Sequence, residues 1–182
     1  MAGRAALLII DLFSLFDFPA ADELATPAVD ASVAAARIRR EFGRRELPVI
    51  YANDNFGDWQ RDFPQLVRDC RSHGGPAAEI VKNIGPGAGH YFVLKPKHSA
   101  FLATALPVLL SKLQITDLVL CGMTLDSCVL ATALDAKSRE YRTIIAADAV
   151  AALPDRRGLA LQLIQVSDAA EVMTTEAILE AL

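Results

Sequence analysis

Three residues able to do chemistry together stand at or just past the downstream ends of apolar runs. Asp11 closes LLII, Lys95 closes YFVL, and Cys128 lies just past DLVLC, in the stretch CGMTLDSCVLATALDA. A thiol at the start of a helix feels the macrodipole and unpaired N–H groups, which favour its thiolate. A neighbouring lysine would favour it further. A carboxylate beside the thiol could take its proton and return it to a leaving amine. Free amides in the turn before the helix could bind an oxyanion. These are the parts needed for acyl transfer through a thioester.

Taken singly, each residue has an ordinary explanation. An aspartate after a buried strand is commonly a helix cap or a loop acid, a lysine is seldom buried, and a cysteine among Ala and Leu is often a small core hydrophobe. What joins them is placement. In an open parallel sheet, ligands bind outside the carboxyl ends of the strands, and all three residues fall at or just beyond such ends.

The elements that position them are legible as continuous apolar runs: Ala5–Ile10, Leu47–Ala52, Tyr91–Leu94, Asp117–Cys121, Arg142–Ala147 and the short Ala170–Met173. Continuous rather than alternating hydrophobicity is what parallel strands covered on both faces require. Helical patterns lie between them over Ala28–Phe42, Phe101–Leu113, Cys128–Arg139 and Asp155–Gln165. The alternation predicts a three-layer α/β/α sandwich around a mostly parallel, Rossmann-like sheet of about six strands, in one domain spanning residues 1–182. The gap from Asn53 to His90 is the exception: two glycine clusters, one short helix around Pro64–Arg71, and otherwise an irregular stretch of the kind that is often functional. Gly85–Gly89 precedes a strand instead of joining strand to helix, so it is a mobile loop and not a dinucleotide fingerprint.

Composition narrows the function. With 18 Lys+Arg against 22 Asp+Glu the formal net charge is −4, which argues against a nucleic-acid partner. Hydrophobic residues make up 53%, enough for a core without disulfides or metals. Three cysteines are too few and too odd for a disulfide framework, and no run approaches the roughly 18 apolar residues of a membrane span. The N-terminal apolar stretch stops at Asp11, unlike a signal peptide. The expected setting is the reducing cytoplasm, away from membranes.

Three blocks together resemble the isochorismatase-like cysteine hydrolases, a family that includes nicotinamidases, N-carbamoylsarcosine amidase and ureido-acid amidohydrolases. LLIIDLFSLFDF is similar to the family's strand-Asp opening, with Phe16 as its following aromatic. VLKPKHSAF is similar to the lysine block and aligns Lys95, not Lys97, with the catalytic lysine. CGMTLDSCVLATALDA followed by YRTIIAADAVAA is similar to the nucleophile block. The resemblance implies a catalytic set of Asp11, Lys95 and Cys128, an oxyanion hole from the N–H groups of Thr124 and Cys128, and a cis peptide at Met123–Thr124. It implies hydrolysis of a C–N bond in a small amide or carbamoyl compound, and assembly as a homodimer or homotetramer. The Ala- and Leu-rich face over Ala177–Leu182 is a candidate subunit contact.

The chain also departs from the family pattern. Leu125 stands where Thr is common. Phe13 stands where Gln is frequent, which predicts a more apolar pocket. Phe56 follows Asp54 where metal-binding relatives place a histidine, and His73, His90 and His98 are scattered. No metal and no other cofactor is expected; His98 is expected to stand just behind the reacting groups or to be structural. Asn53, Asp54, Asn55 and Trp59 are candidates for lining a small polar substrate, or else form a capped turn with a partly buried Trp. Two other readings stay open: hydrolysis of an isochorismate-type enol ether, which does not need the thiol, and a catalytically silent binding or scaffold protein.

Overall fold

A computed structural model describes residues 3–182. Its centre is β1 (Ala5–Ile10), six apolar residues all buried. Alternate residues of a strand point to opposite faces, so Ala5, Leu7 and Ile9 enter one core while Ala6, Leu8 and Ile10 enter another. That division makes three layers. The sheet comprises β1, β2 (Val49–Asp54), β3 (Tyr91–Lys95), β4 (Asp117–Met123), β5 (Arg142–Ala151) and β6 (Glu171–Met173). Every adjacent pair is parallel, in the order β3-β2-β1-β4-β5-β6. The chain order reverses beside β1, where β2 and β4 flank it. This is the switch point at which such sheets form a ligand crevice.

The first core is covered by α1 (Ala21–Arg44), α2 (Phe63–His73), α3 (Gly75–Ile84) and α7 (Thr175–Ala181); the second by α4 (Leu106–Lys112), α5 (Leu130–Ser138) and α6 (Pro154–Val166). Helix α1 begins a full two turns before the predicted Ala28. Pro27 removes one N–H from the ladder, but Ala21 and Leu24 are buried and hold the preceding turns in place. Helix α4 is shorter than predicted. Thr104 Oγ1 donates to the Ala100 carbonyl at 2.6 Å and accepts the Leu106 N–H at 3.1 Å, so residues 101–105 form turns that lead into it.

The segment from 53 to 90 is more regular than its glycines predict. It holds two helices, not one. Gly74, at φ 85°, ends α2 and starts α3, a conformation open to glycine. Ile80, Val81 and Ile84 then bury against the core shared with α1. The Gly85–Gly89 loop, expected to be mobile, is tied down: Arg39 Nη1 donates to the Gly85 carbonyl at 2.5 Å, and the Gly87 N–H donates to His90 Nδ1 at 3.0 Å. Within Ala177–Leu182, Ile178 is fully buried in this chain's own core and Leu182 packs partly buried against it.

Candidate active site

Asp11 follows β1 in the left-handed region, φ 53°, which Asp adopts more readily than most residues. Its Oδ1 accepts the Asp54 N–H at 2.6 Å, which ties the end of β1 to the end of β2. Its Oδ2 lies 2.7 Å from Nζ of Lys95. Lys95 is the last residue of β3 and, against the usual habit of lysine, is 0% exposed. A buried ammonium is tolerated only when its charge and its N–H groups are answered. Besides Asp11, Nζ lies 3.1 Å from the Lys97 carbonyl, 3.6 Å from Asp54 Oδ2 and 3.5 Å from Sγ of Cys128. Asp54 pairs with Lys95 in the β2–β3 register, so the sheet itself delivers the second carboxylate.

Cys128 comes from the other side of the switch point. It is the fourth residue of a π-helical turn, Leu125–Val129, that leads into α5; such turns are frequent at functional sites. The Met123–Thr124 peptide is cis. The Thr124 carbonyl accepts the N–H groups of Ser127 and Val129, each at 3.1 Å, the two residues flanking Cys128. Gly122 just upstream has φ 124°, and a Cβ there would sit 1.9 Å from the Ile10 carbonyl oxygen. Only glycine lets β4 run this close to the end of β1, and so lets Cys128 approach Asp11.

Electrostatics overturn one expectation. Burial, followed by the charge of Asp11, pushes the Cys128 thiol up to about 12, with Lys95 opposing. The thiol is therefore neutral at rest, not a preformed thiolate. The reason is that the sulfur is largely out of water and lies beside the Asp11 carboxylate, which the Lys95 ammonium only partly offsets. Burial also lifts the Asp11 carboxyl above its ordinary value, against the pull of Lys95 and of its hydrogen bonds. For Lys95, burial works to lower the value but is outweighed, chiefly by the charge of Asp11, so it stays protonated.

Not all the other predicted residues gather here. Asn53 is 1% exposed; its Oδ1 accepts the Phe13 N–H at 3.1 Å and its Nδ2 donates to the Phe13 carbonyl at 3.0 Å. Both ends of the amide are occupied in bracing the chain after Asp11. Phe13 itself turns into the core, 5.6 Å from the rings of Tyr51 and Phe63, so it does not make a pocket apolar. Leu125 is likewise fully buried beneath the nucleophile turn. Phe16 is half-buried, with its ring centroid 6.1 Å from that of Phe18. Trp59 is 79% exposed, so the expectation of a partly buried ring fails. Asn55 closes a turn, its Oδ1 accepting the Gly57 N–H and its own N–H reaching the Lys95 carbonyl. Phe56 is exposed in the same turn.

His98 was expected as support, and it lies closer to the chemistry than that. Its Nδ1 is 3.2 Å from Ser127 Oγ and 3.8 Å from Cys128 Sγ. The Lys97 carbonyl was missed altogether, since a backbone acceptor leaves no mark in a sequence. Among the described residues, no three His, Cys, Asp or Glu side chains are grouped so as to hold a metal ion. No helix among them is long and apolar enough to cross a membrane.

A doubly covered parallel sheet with an acid, a buried lysine and a cysteine converging at its switch point defines an α/β protein equipped for hydrolytic chemistry. The chain belongs to the isochorismatase-like hydrolase family: the family model for the isochorismatase domain matches residues 5–177. It is 35% identical over 176 residues to the isochorismatase family protein YaaI of Bacillus subtilis, covering 96% of each chain. It is 31% identical over 156 residues to maleamate amidohydrolase of Pseudomonas putida, covering 81% of this chain and 72% of that one. Among solved structures, N-carbamoylsarcosine amidase from Thermoplasma acidophilum superposes with a TM-score of 0.73 at 29% identity, covering 94% and 96% of the two chains.

Proposed function

We propose that this protein is a metal-independent cysteine amidohydrolase, cleaving a C–N bond of a small amide or carbamoyl compound through a thioester on Cys128. The observation that carries the reading is the Lys95 ammonium, held out of solvent 2.7 Å from Asp11 and 3.5 Å from the thiol sulfur. Asp11 takes the thiol proton as the sulfur attacks the carbonyl carbon, and Lys95 stabilises the sulfur's growing charge. Because the resting thiol is neutral, proton transfer and attack are coupled, and the thiolate never waits in the empty site. The N–H groups of Thr124 and Cys128 receive the oxyanion. Asp11 returns its proton to the departing nitrogen as the C–N bond breaks, and water then cleaves the thioester.

Of the residues expected to bind substrate, Asp54 is assigned that contact here because its carboxylate reaches the reacting cluster. Relatives that hydrolyse a maleamate or an N-carbamoyl compound support the substrate class. Three unpaired cysteines suit a reducing cytoplasm, and the same reading has the protein as a homodimer or homotetramer.

The test is release of ammonia from a panel of small amides and carbamoyl compounds, with wild type beside Cys128→Ala and with mass measurement of the trapped enzyme. Turnover lost in Cys128→Ala, with a covalent adduct on Cys128 in wild type, supports the reading. Full turnover by Cys128→Ala overturns it in favour of chemistry that does not use the thiol.

A further inference from the structure

Pro96, which has no N–H to give a sheet, follows Lys95 at the end of β3. The β2–β3 register therefore fixes the backbone of Lys95 but not the Lys97 carbonyl, which accepts from Nζ at 3.1 Å. That carbonyl belongs to a segment held from the nucleophile's side. The Ala100 N–H donates to Thr132 Oγ1 at 3.0 Å, and both residues are fully buried. The Ser99 hydroxyl donates to Asp135 Oδ2 and accepts the Phe101 N–H at 3.2 Å. Asp135 is steadied in turn by Arg139, whose Nη1 donates to Oδ1 at 2.8 Å and whose guanidinium lies 4.9 Å from the centroid of the Phe101 ring. Thr132 and Asp135 follow Cys128 by four and seven residues, the spacing of side chains on one helix face. In the sheet, Lys95 and Cys128 are related through the two intervening strands β2 and β1. This joint relates them through α5, the helix that the nucleophile turn leads into.

We propose that Thr132 is a positioning residue of this site, with Ser99 and Asp135 as a second anchor, and that it locks the 96–101 segment onto α5 and so holds the Lys95 ammonium against the Cys128 sulfur. For its effect on turnover the inference rests on the thioester reading above. Thr132 acts through the Lys97 carbonyl and Lys95, not on substrate. Without its hydroxyl, the buried Ala100 N–H loses its acceptor and the segment must shift to answer it. The Lys97 carbonyl moves with the segment. Nζ then settles onto its remaining strong acceptors, the carboxylates of Asp11 and Asp54, and away from the neutral thiol.

Two measurements on Thr132→Val, which keeps the shape and removes the hydroxyl, test this. The first is stopped flow with p-nitrophenyl acetate, whose leaving group needs no proton. Wild type should give a burst of nitrophenolate with an acetyl adduct on Cys128. Thr132→Val should keep the burst amplitude and slow its rate constant by about a hundredfold, the cost of moving a catalytic group by about an ångström. Thr132→Ser should restore the rate. The second is iodoacetamide alkylation at pH 9, resolved by peptide mass. Withdrawal of Lys95 disfavours the thiolate, so Cys128 in Thr132→Val should react about tenfold more slowly, while the buried Cys70 and Cys121 keep their wild-type rates. A merely loosened fold gives the opposite sign, with all three cysteines reacting faster. Ser99→Ala should change both measurements in the same direction and by less, and it decides the matter if Thr132→Val does not fold. Cys128 alkylation that is unchanged, or that rises together with Cys70 and Cys121, overturns the proposal, as does a Thr132→Ser variant as slow as Thr132→Val. If wild type shows neither burst nor adduct, the thioester reading falls, and the alkylation rates still decide the role of Thr132.

Discussion

Lys95 and Asp11 form a 2.7 Å ion pair although their strands are not neighbours: β2 lies between β1 and β3. The lysine reaches across the end of the intervening strand, and Asp54 at that strand's end contacts both partners, through its backbone N–H to Asp11 and its carboxylate to Lys95. Three adjacent strand ends are thus coupled by charge, and the sulfur of Cys128 completes the group from β4's side.

Removing the lysine should cost more than activity. Lys95→Met leaves a buried carboxylate without its counter-charge, which destabilises by about 3–5 kcal/mol. Urea titration reads the loss. Lys95→Met combined with Asp11→Leu should recover much of that stability while remaining inactive.

The thiol should behave oppositely in reactivity and in catalysis when Asp11 is neutralised. Asp11's charge is the second cause holding the thiol up, after burial. In wild type, Cys128 alkylation by iodoacetamide should climb roughly tenfold per pH unit from 7 to 10, without levelling near the free-thiol value of about 8.5. Asp11→Asn removes a charge that favours the protonated thiol, so alkylation at pH 8 should rise, by about tenfold for each unit the thiol falls. Turnover of an amide by the same variant should drop by about a hundredfold or more, because the proton carrier is gone. Peptide mass spectrometry resolves Cys128 from Cys70 and Cys121.

Gly122→Ala should disturb both fold and site. Its Cβ would collide with the Ile10 carbonyl at 1.9 Å, at φ 124° where a side chain is strained. We expect a loss of at least about 2 kcal/mol, together with slower Cys128 acylation because the β1–β4 joint opens. Thermal melting and the acylation burst measure the two effects.

Asn53→Ala should separate bracing from substrate contact. Two Phe13 backbone groups lose their partners in a buried place, a cost of about 2–4 kcal/mol. A strut predicts lower stability with a reduced kcat. A direct substrate contact predicts instead a raised KM at unchanged stability.

Much of this was written locally. The apolar runs of β1 and β4 are continuous because both faces are buried, so burial marks them in the residues themselves; β3, at the sheet edge, leaves Tyr91 and Phe92 exposed, yet its run too ends at a site residue, Lys95. The three-layer parallel architecture follows from their alternation with helices. The strand order, the second helix of the 53–84 segment and the extension of α1 through Pro27 do not. They depend on which surfaces Ile80, Ile84, Ala21 and Leu24 find to pack against, and no local pattern states that. The site divides the same way. Residue type marked the acid, the lysine and the thiol, but their ionisation is a property of distance and burial. Burial first, and then the charge of Asp11, keep the thiol neutral, where helix-start chemistry alone predicts a thiolate. His98 lies thirty residues from Cys128 in the chain, and only the packing of the 95–99 segment against the nucleophile turn brings its imidazole to the sulfur.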